Sequence, residues 1–382
     1  IAQPPTVTGI SPLTTLTSGG IAQGWNTGTK IQASDKAAND YFGCGVAMNS
    51  DGTMMIVGSG YANPNGVSGA GAAYIYTYSG GSWGSEVKIV ASDKEVDDSF
   101  GCSVSMSGDG TRVIVGSQYE DAGGTTSGAA YIFTYSGGSW DAGVKIVASD
   151  ATAFVNFGEN VSMSSDGTKV IVGRYGDDSG SSWDAGTKIM ASDKAASDQL
   201  GGSVAISGDG TTVIASASGE DAAATDAGAV YLYTYSGGSW GSEVKFVAPD
   251  GQTSDRLGEN GVSINSDGTK FIVGAKQEDG DAGGSGVGAA YIFTYSGSSW
   301  DTGTKIMAPD AEAGDNFGGG YFGGVTMNSD GTKVIVAAMQ EDTGATGTGA
   351  VYVFDYQATA LFDTETQVFT ATGTGIVSGS TV

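Results

Sequence analysis

Apolar and polar positions alternate over short stretches along most of the chain, and residues 98–140 show the pattern most fully. Residues 103–107 (S-V-S-M-S) alternate small polar and apolar side chains. Residues 113–115 (V-I-V) form an apolar run, and residues 129–135 (A-A-Y-I-F-T-Y) alternate again around Tyr131, Phe133 and Tyr135. Each reads as a β-strand. Asp109-Gly110 between the first two strands signals a hairpin, expected as a type I′ turn. A glycine-rich acidic loop leads from the second to the third, and residues 144–148 after Trp140 supply a fourth. Four antiparallel strands in about 57 residues are the size of one β-propeller blade.

The unit recurs six times, marked by Phe-Gly or Leu-Gly at Phe42, Phe100, Phe157, Leu200, Leu257 and Phe317 and by tryptophans at Trp25, Trp83, Trp140, Trp183, Trp240 and Trp300. The sixth unit stops at G-A-V-Y-V-F-D-Y (349–356) without a W-x-x-x-x-K strand, whereas Trp25 opens such a strand (W-N-T-G-T-K-I-Q-A-S) with no blade before it. The prediction is an all-β, six-bladed propeller of four-stranded antiparallel blades. Its N-terminal strand, residues 25–34, would close the last blade beside residues 349–356 and so remove two open sheet edges. A seventh blade would have to come from the non-repeating ends. The third unit is short and lacks the G-A-A-Y-I-F-T-Y strand. Either that blade has three strands, its fourth pairing directly with its second, or the sequence is incomplete there. The organisation expected is a non-repeat segment (1–24), the propeller (25–356) and a C-terminal β segment (357–382).

Composition adds limits. Sixty-six glycines and six prolines fit many tight turns. No apolar run is long enough to span a membrane as a helix. The chain starts at Ile1 with no visible signal peptide, which suggests a mature or excised part of something longer. A net charge of −26 makes nucleic acid a poor partner and suits a salty or calcium-bearing medium, or plain solubility. Cys44 and Cys102 occupy the same place in neighbouring units, as two buried free thiols or as a disulfide between adjacent blades. With no histidine in the chain there is no zinc site of the usual kind and no Ser-His or Cys-His pair.

The run F-G-C-S-V-S-M-S-G-D-G-T-R-V-I-V-G-S, followed by G-A-A-Y-I-F-T-Y-S-G-G-S-W and K-I-V-A-S-D, resembles the FG-GAP repeat family, the units of the integrin α propeller and of many bacterial and viral surface proteins. The bacterial-type variant is the nearer likeness. The G-A-P survives only as G-S at Gly116, G-R at Gly173 and G-A at Gly274. The two ends resemble strands of a TIG-type immunoglobulin-like module. The resemblance implies an extracellular or virion-surface protein with a role in adhesion, receptor binding or display, as in a phage tail fibre, a decoration protein or a bacterial adhesin. Integrin-type repeats often hold calcium in D-x-D-x-D-G loops. Here each loop keeps one aspartate (Asp51, Asp109, Asp166, Asp209, Asp267 or Asp330), far short of six to eight oxygens, so these positions read as hairpin turns and no metal site is assigned.

The ligand-face candidates are acidic pairs in the second-to-third-strand loops: Glu120 and Asp121, Asp177 and Asp178, Glu220 and Asp221, Glu278 and Asp279, Glu341 and Asp342. Asp40, Asp98, Asp198, Asp255 and Asp315 lie in the links between blades and should share that face, either docking a cation-dependent or basic partner or bonding to backbone N–H groups. Lys30, Lys88, Lys145, Lys188, Lys245 and Lys305 recur on the outer strand, where they would discourage strand addition by neighbouring molecules. The tryptophans either pack blade corners or stack sugars. Catalysis has little support: the aspartate loops lack the spacing of sialidase Asp boxes, and only Arg112, Arg174 and Arg256 are available for an arginine triad. The reading is a non-enzymatic adhesion or display module that needs no cofactor, with calcium as the alternative, and binds a host-surface protein, a glycan or neighbouring subunits. A purely structural spacer and a propeller glycosidase are the alternatives.

Overall fold

The computed structural model describes residues 30–174, 181–183, 187–259, 261–279, 284–319, 323–340 and 350–356. These form six antiparallel sheets. The first holds β1 (Phe42–Met48), β2 (Met54–Ser59), β3 (Ala72–Ser79), β4 (Ser82–Trp83) and β5 (Val87–Ile89). The second holds β6 (Val104–Met106), β7 (Arg112–Ser117), β8 (Ala129–Ser136), β9 (Ser139–Trp140) and β10 (Val144–Ile146). The third is β11 (Val161–Met163), β12 (Val170–Val172), β13 (Ser181–Trp183) and β14 (Thr187–Ile189). The fourth is β15 (Leu200–Ile206), β16 (Thr212–Ala217), β17 (Ala229–Ser236), β18 (Ser239–Trp240) and β19 (Val244–Phe246). The fifth is β20 (Val262–Ile264), β21 (Lys270–Ala275), β22 (Ala289–Thr294) and β23 (Thr304–Ile306), and the sixth is β24 (Val325–Met327), β25 (Lys333–Ala338) and β26 (Ala350–Asp355). The chain is thus an all-β propeller with five complete blades and a sixth of three strands among the described residues.

The alternation in the first strand of each blade has a physical use on both sides. Val104 and Met106 are buried against the preceding blade, in one cluster with Ile56, Ile75 and Ile89. The intervening serines reach the next blade: Ser103 Oγ accepts the Val161 N–H at 2.8 Å and Ser105 Oγ the Met163 N–H at 3.1 Å. Hairpin turns are joined in the same direction, with Gly108 N–H donating to Ser165 O at 2.8 Å and Ser165 N–H to Gly208 O at 2.9 Å. These contacts satisfy inner edges that would otherwise carry open backbone groups.

Both halves of the repeat signature meet at the junctions. Phe100 is fully buried, edge-on to Tyr131 with ring centroids 5.4 Å apart. Gly101 has φ 102°, and a Cβ on Gly58 would strike the Gly101 carbonyl. Gly116 meets Gly158, Gly173 meets Gly201 and Gly274 meets Gly318 in the same way. The surviving glycine of the G-A-P position is therefore the place where one blade's backbone touches the next blade's Phe-Gly turn.

Three expectations change. The Asp-Gly turns are not type I′, which requires positive φ at both central residues. Gly110 alone is left-handed (φ 71°), and its N–H closes the turn onto Ser107 O at 3.0 Å while Asp109 caps from the side. The third blade keeps four strands: β13 takes the third position, pairing Ile171 with Trp183, and β14 pairs with β13 rather than with β12. The fourth strand therefore keeps the direction it has in its neighbours.

The seam is the third. β26 pairs with β25 on one side only; no described strand lies on its outer side, and residues 30–34 are not in a ladder with it. Instead Ile31 and Ala33 pack on the first blade with Tyr74 and Tyr76. Val46 and Met48 are 69% and 53% exposed, whereas their counterparts Val104 and Met106 are 9% and 7% exposed. On the other flank Ile335, Val351 and Val353 are also exposed. The outer flanks of the first and last blades are thus not packed together in this structure. Residues 1–24, 25–29 and 357–382 lie outside the described residues, and so do the strands expected there.

Candidate functional site

The loop face is built by pairing each blade's second-to-third-strand loop with the link into the next blade. Phe154 N–H donates to Thr125 O at 2.8 Å and Phe157 N–H to Ser127 O at 3.0 Å; Ser254 N–H donates to Thr225 O at 2.9 Å and Leu257 N–H to Ala227 O at 2.9 Å. The two loop series therefore share one face, as the strand directions require.

In the links the aspartates serve the backbone. Asp98 Oδ2 accepts the Glu95 N–H at 2.5 Å, and Asp40, Asp198, Asp255 and Asp315 accept the N–H three residues earlier in the same manner. All five are buried. Burial pushes Asp98 up to about 6 and also raises Asp198 and Asp255. Flanking residues such as Asp97 and Ser99 have φ of 66° and 57°, so the tight link is held in a conformation that side chains other than glycine rarely adopt. In the third link Val155, buried, stands where the others have aspartate.

The acidic pairs divide. Glu120, Glu220 and Glu278 are 6%, 7% and 1% exposed, so they do not form part of an open ligand face. Glu220 bonds Lys245 at 2.6 Å and accepts the Ala222 N–H at 2.7 Å. Glu278 bonds Lys305 at 2.7 Å, and Glu120 bonds Lys145 and accepts the Ala122 N–H at 2.8 Å. Their partners Asp121 and Asp221 do face solvent, each with one oxygen accepting a loop N–H, from Thr126 at 2.6 Å and Asp226 at 2.8 Å. Asp279 is half-buried. Asp177, Asp178, Glu341 and Asp342 lie outside the described residues.

Of the outer-strand lysines, Lys145, Lys188, Lys245 and Lys305 are half-buried, whereas Lys30 and Lys88 are exposed. Lys145 bonds Asp93 at 2.9 Å, and Lys245 bonds Asp193 at 2.8 Å. These aspartates end the K-I-x-A-S-D strand of the preceding blade and also accept the hydroxyls of Tyr131 and Tyr231, both at 2.8 Å. Asp35, Asp150, Asp250 and Asp310 take the same position, with Tyr74, Tyr291 and Tyr352 as hydroxyl donors to three of them. The sequence reading missed this series. Its signal was the fixed spacing of S-D or P-D behind every K-I or K-F strand. In the third blade buried Arg174 joins the set, bonding Asp150 at 2.7 Å and Thr152 at 3.1 Å.

On the opposite face the hairpin aspartates are occupied by their own turns: Asp109 Oδ1 accepts from Ser107 Oγ at 2.7 Å and from the Thr111 N–H at 2.9 Å. Among the described residues no group of three or more His, Cys, Asp or Glu side chains is placed to hold a metal ion. Tryptophans lie at the rim, Trp140 beside Tyr135 at 5.5 Å and Trp240 beside Tyr235 at 4.9 Å. Both also pack on junction cores. Between the first two blades Tyr135 and Trp140 line a groove of about 570 Å³ with Ile75, Val87 and Phe133.

Cys44 and Cys102 come together across the first junction as free thiols. Cys44 Sγ lies 3.3 Å from the Gly101 carbonyl oxygen and accepts the Gly60 N–H at 3.3 Å. Cys102 is 2% exposed and Cys44 is half-buried.

No helix among the described residues is long and apolar enough to cross a membrane. No curated protein matches the chain. The FG-GAP repeat profile matches six times, over residues 25–76, 83–133, 140–187, 183–233, 240–293 and 300–354, and each match after the first runs from the outer strand of one sheet through the first three strands of the next. With its Phe-Gly turns and junction glycines in contact at successive blades, the chain belongs to the FG-GAP repeat family.

Proposed function

We propose that this propeller is a non-enzymatic binding and display module, exposed outside a cell or on a virion. It would engage a host-surface protein or glycan, or neighbouring surface subunits, through the loop face. The observation that carries this reading is a division of labour within each loop. The glutamate that opens the loop is buried in the scaffold, while Asp121, Ala122 and Thr125, like Asp221, Ala222 and Thr225, are exposed, and the positions among them change between blades, Gly123-Gly124 against Ala223-Ala224 and Thr126 against Asp226. Such a scaffold tolerates changes at loop tips without loss of fold, which is what a recognition surface on a repeat needs. The roles of tail fibre, decoration protein and bacterial adhesin share this geometry. Carboxylates in structural contacts and a chain without histidine argue against a reaction centre.

We also infer that the ring closes, with residues 25–34 as the fourth strand of the sixth blade. W-N-T-G-T-K-I at Trp25 repeats W-D-T-G-T-K-I at Trp300 almost unchanged. Asp35 already bonds Lys88 at 2.6 Å and Tyr74 at 2.9 Å, as its counterparts do after a complete blade.

The test of function exchanges the loop tips 121–126 and 221–226, which have equal length, and compares protein and glycan arrays before and after. A changed pattern of hits with unchanged thermal stability supports the proposal. Arrays without hits for either protein refute it.

A further inference from the structure

The junction between the first and second blades carries chemistry that neither the scaffold nor the loop face uses. Both sulfurs lie against Gly60: its N–H points at Cys44 Sγ from 3.3 Å, and a Cβ at Gly60 would collide with Cys102 Sγ. The backbone at residues 44–45 runs against residues 101–102, with a Cβ on Gly45 meeting the Cys102 carbonyl oxygen at 2.9 Å. The two thiols differ in their surroundings. Cys102 is closed off from solvent and Cys44 is reached from the surface.

We propose that Cys44 and Cys102 form a redox-active dithiol in which Cys44 is the attacking thiol and Cys102 the resolving one, so that oxidation clasps the first blade to the second. The oxidant is a low-molecular-weight disulfide. Cys44 thiolate attacks one of its sulfurs, forming a mixed disulfide and releasing one thiolate. That thiolate takes the proton of Cys102. The Cys102 thiolate then attacks Cys44 sulfur, forming the Cys44–Cys102 bond and releasing the second half as a thiolate, which takes up from water the proton Cys44 gave up on ionising. Two protein thiols lose two electrons and two protons, and one small disulfide becomes two thiols.

The local field favours this polarity. The Cys102 thiol beside it, with the backbone N–H groups of Gly60 and Gly45, lowers the Cys44 thiol, while the same neighbour and burial raise Cys102. The clasp falls on the first blade, whose outer positions Val46 and Met48 are exposed in this structure.

The experiment exposes the folded full-length protein to oxidised glutathione, then blocks remaining thiols by alkylation and maps them by mass spectrometry. Wild type should lose both thiols and yield one linked peptide pair containing Cys44 and Cys102. Hydrogen exchange in β1–β3 should slow on oxidation. Cys102→Ser should accumulate a glutathione adduct at Cys44, and Cys44→Ser should leave Cys102 unmodified. The proposal is overturned if both cysteines remain alkylatable in folded wild type while the urea-unfolded protein oxidises. It is equally overturned if Cys44→Ser gains the adduct at Cys102 as fast as Cys102→Ser gains it at Cys44. This inference stands apart from the loop-face reading, and neither result bears on the array experiment.

Discussion

At the scale of single residues, carboxylates of the same type are driven in opposite directions. Asp98 is buried in its link, and desolvation pushes it up to about 6. Asp193 is held below the usual range, first by the hydrogen bond from Lys245 and then by Tyr231, against the opposing effect of burial. The linkage signs follow. Asp98 binds its proton more tightly in the folded state, so its contribution is most favourable below about pH 4 and is lost as pH rises to about 6. Asp193 stabilises at neutral pH, and its contribution falls away as acid protonates it. Asp98→Asn keeps an acceptor for the Glu95 N–H and removes the buried charge. It should leave stability unchanged near pH 4 and raise it by up to about 3 kcal/mol above pH 6. Urea midpoints at pH 4, 5 and 7 measure this, and an equal shift at all three would sink the account. Sequence could not separate the two aspartates, because what divides them is burial in the link for Asp98 and the lysine of the next blade for Asp193.

At the scale of elements, the unit of cohesion is the tie between one blade's exit strand and the next blade. Tyr291 and Lys305 both bond Asp250, at 2.7 Å each, and Lys305 also bonds Glu278, whose side chain is 1% exposed. Removing Lys305 leaves that glutamate buried without its cation. Lys305→Met should therefore cost about 3 kcal/mol, and adding Glu278→Gln should recover part of it. Chemical denaturation of the two variants checks this; a double variant no more stable than the single one would argue against the ion pair. Much of the element order was legible, because Phe-Gly and Asp-Gly-Thr recur in step with the strands and each takes one local structure in blade after blade. The ties were not, since a lysine on an outer strand reads as solvent-facing until the neighbouring blade is in place. The short third unit was misread for a related reason. Elsewhere Ser-Trp forms a small hairpin piece after the third strand, but with that strand missing the S-S-W segment is drawn onto β12 by its unpaired edge.

At the scale of the whole molecule, what remains to be joined is the seam. At the second junction Ile114, Ala130 and Ile132 of one blade pack with Val161 and Met163 of the next. Ile335, Val351 and Val353 are the same positions on the sixth blade, and Val46 and Met48 are the matching positions on the first, yet all five are exposed. An apolar flank at both ends of a repeat array is a cost in water, roughly 25 cal/mol for each Å². Each flank presents the type of surface the other buries elsewhere. Closure by residues 25–34 would bring the two flanks together and cover the free edge of β26. A charge placed on the flank distinguishes a closed ring from an open one. Val353→Asp should cost about 2–4 kcal/mol if the seam closes, because an unpaired carboxylate would be buried there; on an open flank it should stay within about 0.5 kcal/mol. Deleting residues 25–34 should then destabilise the protein and make the added Val353→Asp nearly neutral, because the seam it disrupts is already open. Thermal or urea unfolding of the four proteins forms a double-mutant cycle. Additive losses would mean that the N-terminal strand and the last blade do not meet.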